Sequence, residues 1–551
     1  MKLKTMMKIG CFAVIVACAL LVLGCGGKKA QSTTTVQRSA GEKIDPLNQT
    51  ETMNVRVSVA VRGHQQNGSR QAKWLEDRYN VKFEIIPNPG AADANARISL
   101  MMADDKERPD ILWWNRTMDP DFSRWVNAGL MAELTDWVDK YTVMSDYLNN
   151  QDPRSLFFSF GADGKLFRMP GDVPEAGWEV GWIRKDWLDN LGLAVPKTLK
   201  ELEDVMYAFT YNDPDGNGIN DTYGWGGDSG DIRYWWPWMQ GSGGGYGHIN
   251  PDFDFIRLPD GSFGYAGAHE DTRLWVSRVA EQFKKGVITP NSFVAGVNFT
   301  EEFNRGYFGA FYRYVSWNNP SSVVNFYANN PGANLIPFDM VAGDNGDPQE
   351  DPSNVASSHF FGITKNSSDP ERLFALWDDM QSPGYDGPYV MKRNGVQGVD
   401  WDFNSDGVFY RIISEAENTE KNYGVNIFAD MFNRKDKWNI SNTSETVDLF
   451  TKVSRNSRRA YNRLVERKDV NSYTVWNRNG PELTDIRNGF LWSVMSGNES
   501  IDGWDNYIAR LKAAGLDEVL SELTEKMTKQ DEDLRVYLES RGVKAENTLF
   551  N

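Results

Sequence analysis

The run Asp213-Pro214-Asp215-Gly216-Asn217-Gly218-Ile219-Asn220-Asp221 sets oxygen-bearing side chains at Asp213, Asp215, Asn217 and Asp221. A backbone carbonyl at Ile219 and a glycine at the sharp sixth position, Gly218, complete the start of an EF-hand-type loop. This spacing wraps hard oxygen donors around one point without help from elsewhere, which suits Ca2+. At the twelfth position Gly224 stands where a bidentate glutamate would be, so the last ligands must come from water or another segment. The expectation is a structural calcium ion, because nothing nearby supplies an open metal position with a base. A second run, Asp402-Phe403-Asn404-Ser405-Asp406-Gly407, starts similarly but lacks the later acids and reads as a hairpin turn.

Catalytic constellations are not visible. The four histidines, His64, His248, His269 and His359, stand in unrelated contexts, with no HExxH pair, no Gly-x-Ser-x-Gly elbow and no phosphate loop. The aromatic content says more: 20 tryptophans and 21 tyrosines exceed what the core needs, and many lie in Gly- or Asp-rich stretches that read as loops. Carbohydrate is recognised by stacking the apolar face of a sugar ring on an aromatic while polar groups bond its hydroxyls. That signature occurs at Trp113-Trp114-Asn115-Arg116, at Trp178-Glu179, from Trp225 through Arg233-Tyr234-Trp235-Trp236-Pro237-Trp238, and at Tyr312-Arg313-Tyr314-Val315-Ser316-Trp317-Asn318. The candidate ligand contacts are Trp113, Trp114, Asn115, Trp178, Arg233, Trp235, Trp236, Trp238, Tyr314 and Trp317. For any single tryptophan, core packing is an equal alternative, but the indoles of Trp235, Trp236 and Trp238 are not expected all to be buried on one face. A secreted glycoside hydrolase stays open as a rival, since two carboxylates flanking an aromatic cleft look the same in sequence and the chain has 76 acids. So does a surface adhesion lipoprotein, which needs no cleft.

The elements that must position these residues follow a leader. Lys2, Lys4 and Lys8 precede an apolar run from Cys11 through Leu23, closed by Gly24 and Cys25, which is the layout of a secretory signal over residues 1–24. The run is short for a bilayer span, which needs roughly 20 apolar residues. Val22-Leu23-Gly24-Cys25 resembles the bacterial lipobox, so Cys25 is expected to be lipidated and to hold the protein outside the cytoplasm on the cell membrane. Cys11 and Cys18 leave with the signal, and no cysteine remains for a disulfide. Residues 25–51 read as a flexible tether, having few large apolar side chains to repay ordering entropy. The formal charge of −17 argues against nucleic acid as a partner. From Asn54, Val55, Val57, Val59 and Val61 alternate with Arg56, Ser58, Ala60 and Arg62 as in a strand; a helical stretch with Trp74, Leu75 and Tyr79 and a second strand at Val81, Phe83 and Ile85 complete a β-α-β opening. Further alternation of helix and strand and a helical part from Pro481 on indicate an α/β protein. Ligands in open α/β sheets lie outside the carboxyl ends of strands, which is where Trp113, Trp114 and Asn115 end theirs.

Several segments in order carry a resemblance to a known family: Asp163-Gly164-Lys165-Leu166-Phe167-Arg168-Met169-Pro170, Trp182-Ile183-Arg184-Lys185-Asp186-Trp187-Leu188 with Leu191-Gly192-Leu193, Pro196-Lys197-Thr198 and Glu201-Leu202, then Lys285-Gly286-Val287-Ile288-Thr289-Pro290 and Gly515-Leu516-Asp517. The chain resembles the family 1 extracellular solute-binding proteins, in the long lipoprotein branch that serves oligosaccharide importers. The resemblance implies a type II two-lobe clamshell of the periplasmic-binding-protein kind, each lobe an α/β sheet flanked by helices. It places residues 52–168 plus 352–440 in one lobe and 169–351 plus 441–551 in the other. It also implies capture of a carbohydrate by a non-catalytic, monomeric binding protein, delivery to an ABC-type permease, and a calcium loop like that at Asp213–Asp221. From maltose-binding relatives it singles out Trp114 and Trp317.

Overall fold

The computed structural model describes residues 42–543, except 61–65, 89–90, 116–117, 162, 172–178, 229–230, 248, 250–254, 315–319, 339–340, 347–356, 358, 406, 408, 429–430, 435–464, 466–467 and 469–471. The signal segment, Cys25, Trp178 and Trp317 therefore lie outside the described residues.

Strand β1 (Met53–Ala60) forms from the valine alternation, with Val55, Val57 and Val59 buried. Ser58 on its other face is buried as well and donates its hydroxyl to Asn88 Oδ1 at 3.1 Å, so both faces are covered, as in parallel sheets generally. Helix α1 (Arg70–Tyr79) is started by the Ser69 hydroxyl, which accepts the Ala72 N–H, and is stopped by Asn80 in the left-handed conformation at φ 49°. Strand β2 (Val81–Asn88) then returns parallel to β1, and β3 (Ile111–Asn115) joins its other side, also parallel. The chain continues through β4 (Met169–Pro170), β5 (Glu179–Arg184), α2 (Leu199–Tyr211), β6 (Tyr223–Trp225) and α3 (Trp236–Gly241). A small ribbon of β7 (Phe255–Arg257) and β8 (Phe263–Tyr265) precedes α4 (Glu270–Lys284), β9 (Phe308–Tyr314) and β10 (Leu335–Phe338). Beyond these come β11 (His359–Ile363), the antiparallel hairpin β12 (Trp401–Phe403) and β13 (Phe409–Arg411), α5 (Thr474–Met495) and α6 (Leu516–Ser540).

Two main sheets result, in the orders β2-β1-β3-β11-β4 and β10-β5-β9-β6. Each has its own core. Lobe 1 packs Val57, Leu75, Ile111, Phe361, Trp377 and Phe432 around the first sheet. Lobe 2 packs Trp182, Phe209, Trp225, Phe311, Leu491 and Leu523 around the second. Side chains from α5 and α6 belong to the lobe 2 core, although they come last in the chain.

Three segments remote in the chain meet at Gly171, which follows β4. Its N–H donates to the His359 carbonyl at 2.8 Å, and its carbonyl accepts the Asn433 N–H at 2.7 Å. A Cβ on this residue would meet the carbonyl oxygens of His359 and Met431, each at 3.2 Å. Helix α6 reaches further: Leu516, Val519, Leu523 and Met527 sit in the lobe 2 core, while Leu534 and Leu538 pack on Phe157, the last residue of the helix Arg154–Phe157, and on Phe158, which follows it. Arg541, just beyond α6, reaches Asp139 at 2.8 Å.

Two sequence expectations change. The packed chain begins before residue 52, because Ile44 is buried in the lobe 1 core and donates its N–H to the Tyr141 hydroxyl at 3.0 Å. One apolar side chain in a polar stretch is enough to dock it. Helix α5 starts at Thr474 rather than Pro481, since the Glu522 carboxylate of α6 accepts the otherwise orphaned N–H groups of Val475 and Trp476. The Asp402–Gly407 run begins in β12 and continues into its connection to β13, with which β12 pairs as a hairpin.

Gly171→Ala is expected to lower unfolding free energy by about 1–3 kcal/mol, because backbone oxygens on both sides must give way to the new methyl group. Urea denaturation measures this, and wild-type stability would contradict the tight seating.

Candidate functional site

The parallel pair β6 and β9 brings two carboxyl ends together in lobe 2. Asp228, Asp231 and Arg233 follow β6, and Arg313 lies near the end of β9. Asp231 organises them. Its Oδ1 accepts Arg233 Nε at 2.8 Å, its Oδ2 accepts Arg233 Nη2 at 2.6 Å and Arg313 Nη1 at 2.8 Å, and the Arg233 N–H caps it at 3.1 Å. The Arg313 guanidinium also lies 5.1 Å from the Tyr234 ring. Burial works against ionising this carboxyl, but the hydrogen bonds and charges of Arg233 and Arg313 outweigh it and hold Asp231 below the usual carboxylate range. Beside it is an open depression of about 590 Å³, lined by Asp228, Ala295 to Thr300 and Arg313.

In lobe 1 the carboxyl edge is marked by Trp113, Asn115 and His359. Strand β11 runs antiparallel to β3, setting His359 opposite Asn115. The imidazole of His359 stacks on the half-buried Trp113 indole, 5.3 Å between centroids at 25°. Asn115 is exposed.

Trp114 points the other way. It is fully buried, 5.1 Å from Phe122 and 6.2 Å from Trp125, because strand alternation turns it into the layer beneath the sheet. The expectation that it faces a cleft is thereby corrected. Trp235, Trp236 and Trp238 are likewise all buried, at 0 %, 4 % and 0 % exposure. The turn Ile232–Trp235 runs into α3, a helix enclosed on every side. Trp235 stacks on Phe293 at 5.1 Å, Trp236 packs 5.4 Å from Tyr312, and Trp238 meets Trp225 edge-on at 5.0 Å. Trp238 Nε1 also donates to Glu203 Oε1 at 3.0 Å. A helix buried all round has no outer face, so three neighbouring indoles can point in different directions and still be core. Tyr314 ends β9 with its backbone opposite Glu179; its side chain lies outside the described residues, as do Trp178 and Trp317.

The structure thus brings together Trp113 and Asn115 on one edge and Arg233 on the other. Sequence reasoning missed His359, Asp231 and Arg313 as site residues. Arg313 carried a signal in its place between Tyr312 and Tyr314, whereas His359 had none, its partner Trp113 being remote in the chain.

The loop Asp213–Asp221 is held between α2 and β6, with Asn190 Nδ2 donating to the Pro214 carbonyl at 2.9 Å. Asp213, at φ 51°, accepts the N–H groups of Asn217 and Gly218 at 3.0 and 2.9 Å. The Asn217 amide nitrogen donates to Asp215 and to Asp221, each at 3.1 Å. Desolvation first, and the nearby charges of Asp221 and Asp213 as well, raise the Asp215 carboxyl above its ordinary value. Among the described residues no three acidic, histidine or cysteine groups converge closely enough to hold a metal by themselves. A cation here would draw on Asn217 and the Ile219 carbonyl too, an all-oxygen set suited to calcium.

Asp231→Asn is expected to destabilise the protein by about 1–3 kcal/mol at neutral pH by leaving two guanidinium groups without their carboxylate. Because the folded-state carboxyl titrates below the unfolded one, its stabilisation is present above the unfolded value and disappears as pH falls through the folded value. Melting curves of both proteins from pH 7 downward should therefore converge in acid.

Comparison with known proteins places this geometry. Residues 69–387 match the family model described as bacterial extracellular solute-binding protein. The polygalacturonan/rhamnogalacturonan-binding protein YtcQ of Bacillus subtilis is 31% identical over 217 residues, covering 39% of this chain and 41% of that protein. The match thus spans about two fifths of YtcQ. The fructooligosaccharide ABC transporter substrate-binding protein FusA of Streptococcus pneumoniae is 24% identical over 396 residues, 69% of each chain. The structure of a FusA EF-hand mutant in complex with fructo-nystose has a TM-score of 0.62 at 16% identity, over 88% of this chain and all of that one. An HMO-binding, ABC-transporter-associated solute-binding protein from Bifidobacterium longum infantis reaches 0.66 at 16% identity, over 86% and 98%. These structures share the two-lobe clamshell fold. With more than half of its length matched and that fold in place, the chain belongs to the family of bacterial extracellular solute-binding proteins.

Proposed function

We propose that the protein captures an oligosaccharide between its lobes, outside the cytoplasmic membrane, and presents it to an ABC-type permease. The observation that carries this reading is the pair of walls at the carboxyl edges of the two sheets. One offers an aromatic stack, Trp113 on His359; the other offers the forked donors and acceptors of Asp231, Arg233 and Arg313. Stacking suits the apolar face of a sugar ring, and guanidinium and carboxylate groups suit its hydroxyls. The names of YtcQ, FusA and the HMO-binding protein support a sugar and differ in which sugar, so the reading stops at that class. Capture fits better than hydrolysis: a glycosidase needs a carboxyl kept protonated as acid, and Asp231 is held ionised by two arginines. Lipid on Cys25 would keep the monomer near its permease.

A calcium ion held by Asp213, Asp215, Asn217, Asp221 and the Ile219 carbonyl is part of the same reading. It would offset the repulsion among the three carboxylates and fix the connection from α2 to β6, and it has no place in sugar chemistry. The EF-hand named for the FusA structure supports it.

Melting temperatures against a panel of plant and microbial oligosaccharides test the capture. A ligand at a hundred times its dissociation constant should add about 2.7 kcal/mol of stability and be recovered uncleaved. Trp113→Ala and Trp317→Ala should each weaken affinity by about 1–3 kcal/mol while the fold persists. A flat panel, or new reducing ends, would refute the reading. For calcium, chelation should lower the melting temperature of the wild type and leave Asp215→Asn unchanged; equal wild-type curves in chelator and in calcium would refute the ion.

A further inference from the structure

The hairpin of β12 and β13 belongs to neither main sheet, and its two faces differ. Directly opposed residues share a face, so Trp401 with Arg411 and Phe403 with Phe409 lie on one side. That side is packed: Trp401 is buried, 5.4 Å from Phe403 and 5.7 Å from Phe409, beside Tyr389 and Val390. The intervening pair, Asp402 opposite Tyr410, points the other way. Tyr410 is 45% exposed, and Gln397 Nε2 donates to Asp402 Oδ1 at 3.0 Å. That hydrogen bond, aided by the Phe403 N–H, holds the Asp402 carboxyl below its ordinary value. An exposed aromatic ring flanked by a carboxylate and a primary amide is the equipment that a sugar ring requires.

The hairpin is fastened to the rim of the cleft. Asp400, just before β12, accepts Arg70 Nη2 at 2.6 Å, and its carbonyl accepts the Ile412 N–H at 2.9 Å. The backbone N–H groups of Arg70 and Gln71 donate to the Asn422 and Tyr423 carbonyls at 3.1 and 2.9 Å, and the Arg70 guanidinium lies 4.5 Å from the Tyr423 ring. On its inner side Trp401 packs with Tyr389, whose hydroxyl accepts the Arg434 N–H at 3.0 Å. The neighbouring Asn433 N–H donates to the Gly171 carbonyl, and Gly171 in turn donates to the carbonyl of His359 at the cleft edge.

We propose that the outer face of this hairpin, Tyr410 with Asp402 and Gln397, is an outer carbohydrate subsite holding the distal sugars of a chain whose leading sugars lie in the cleft. The proposal rests on the oligosaccharide reading above. It commits to carbohydrate because the ring stands among hydroxyl-binding groups and the platform continues the cleft edge.

Calorimetric titration of the wild type, Tyr410→Ala and Asp402→Asn, with oligogalacturonides and with fructo-oligosaccharides from the disaccharide upward, tests it. Both substitutions lie on the face that packs against nothing in the hairpin core, and circular dichroism checks that each variant is folded. Tyr410→Ala should bind the longest chains about tenfold more weakly and the shortest ligand within about twofold of wild type, with Asp402→Asn showing the same length dependence. Identical affinities at every length, in a wild type that binds sugar, would overturn the subsite and leave the cleft reading intact; this is also the result expected if the face docks another protein. A wild type that binds neither series nor any member of the oligosaccharide panel would overturn both.

Discussion

Strand β11 must be seated antiparallel between β3 and β4 for the cleft to exist. Its register is fixed at both ends. Thr364 N–H donates to the Asp110 carbonyl at 2.8 Å and its hydroxyl to the Pro109 carbonyl at 2.7 Å, while Gly171 reaches back to His359. In the middle, a Cβ at Gly362 would lie 2.6 Å from the terminal methyl of Met131 and 3.1 Å from Trp114 and the Phe167 carbonyl oxygen, so glycine lets the strand sit this deep without displacing its neighbours. A slip of one residue would exchange the faces of every side chain and remove His359 from Trp113. The same seating brings Gly171, and with it Asn433, against His359.

Closure on a ligand requires lobes that move as bodies rather than deform. With no cysteine beyond Cys25 in the sequence, rigidity has to come from packing, and the interlocked rings around Trp225, Trp235 and Trp238 supply it in lobe 2. These tryptophans are enclosed in the core. The half-buried Asp231 serves the same end by fixing two long arginine side chains, limiting their rotamer freedom. Helix α6 adds a continuous rod from the lobe 2 core, which holds four of its apolar side chains, to a separate small cluster where two more pack on Phe157 and Phe158.

The parts of the molecule that were legible in the sequence are those whose determinants are local. The valine alternation of β1 and the turn between β12 and β13 are written in consecutive residues. So is the geometry of Asp213 to Asp221, where backbone and side chains of one loop satisfy each other. The cleft walls were only partly legible because each combines remote segments: His359 meets Trp113, and Arg313 meets Asp231, only through sheet pairing. Trp114 and the indoles near Trp235 misled for one reason. An aromatic beside polar residues looks the same whether it faces a ligand or a helix, and periodicity cannot tell a half-buried element from one enclosed on all sides.

Small-angle X-ray scattering of the protein with and without a saturating oligosaccharide that it binds tests the central claim, closure of two rigid lobes around cargo. The account requires a smaller radius of gyration in the presence of the sugar, with unchanged scattering when a sugar that does not bind is added. Tight binding with no compaction would contradict it and would place recognition on a preformed surface instead.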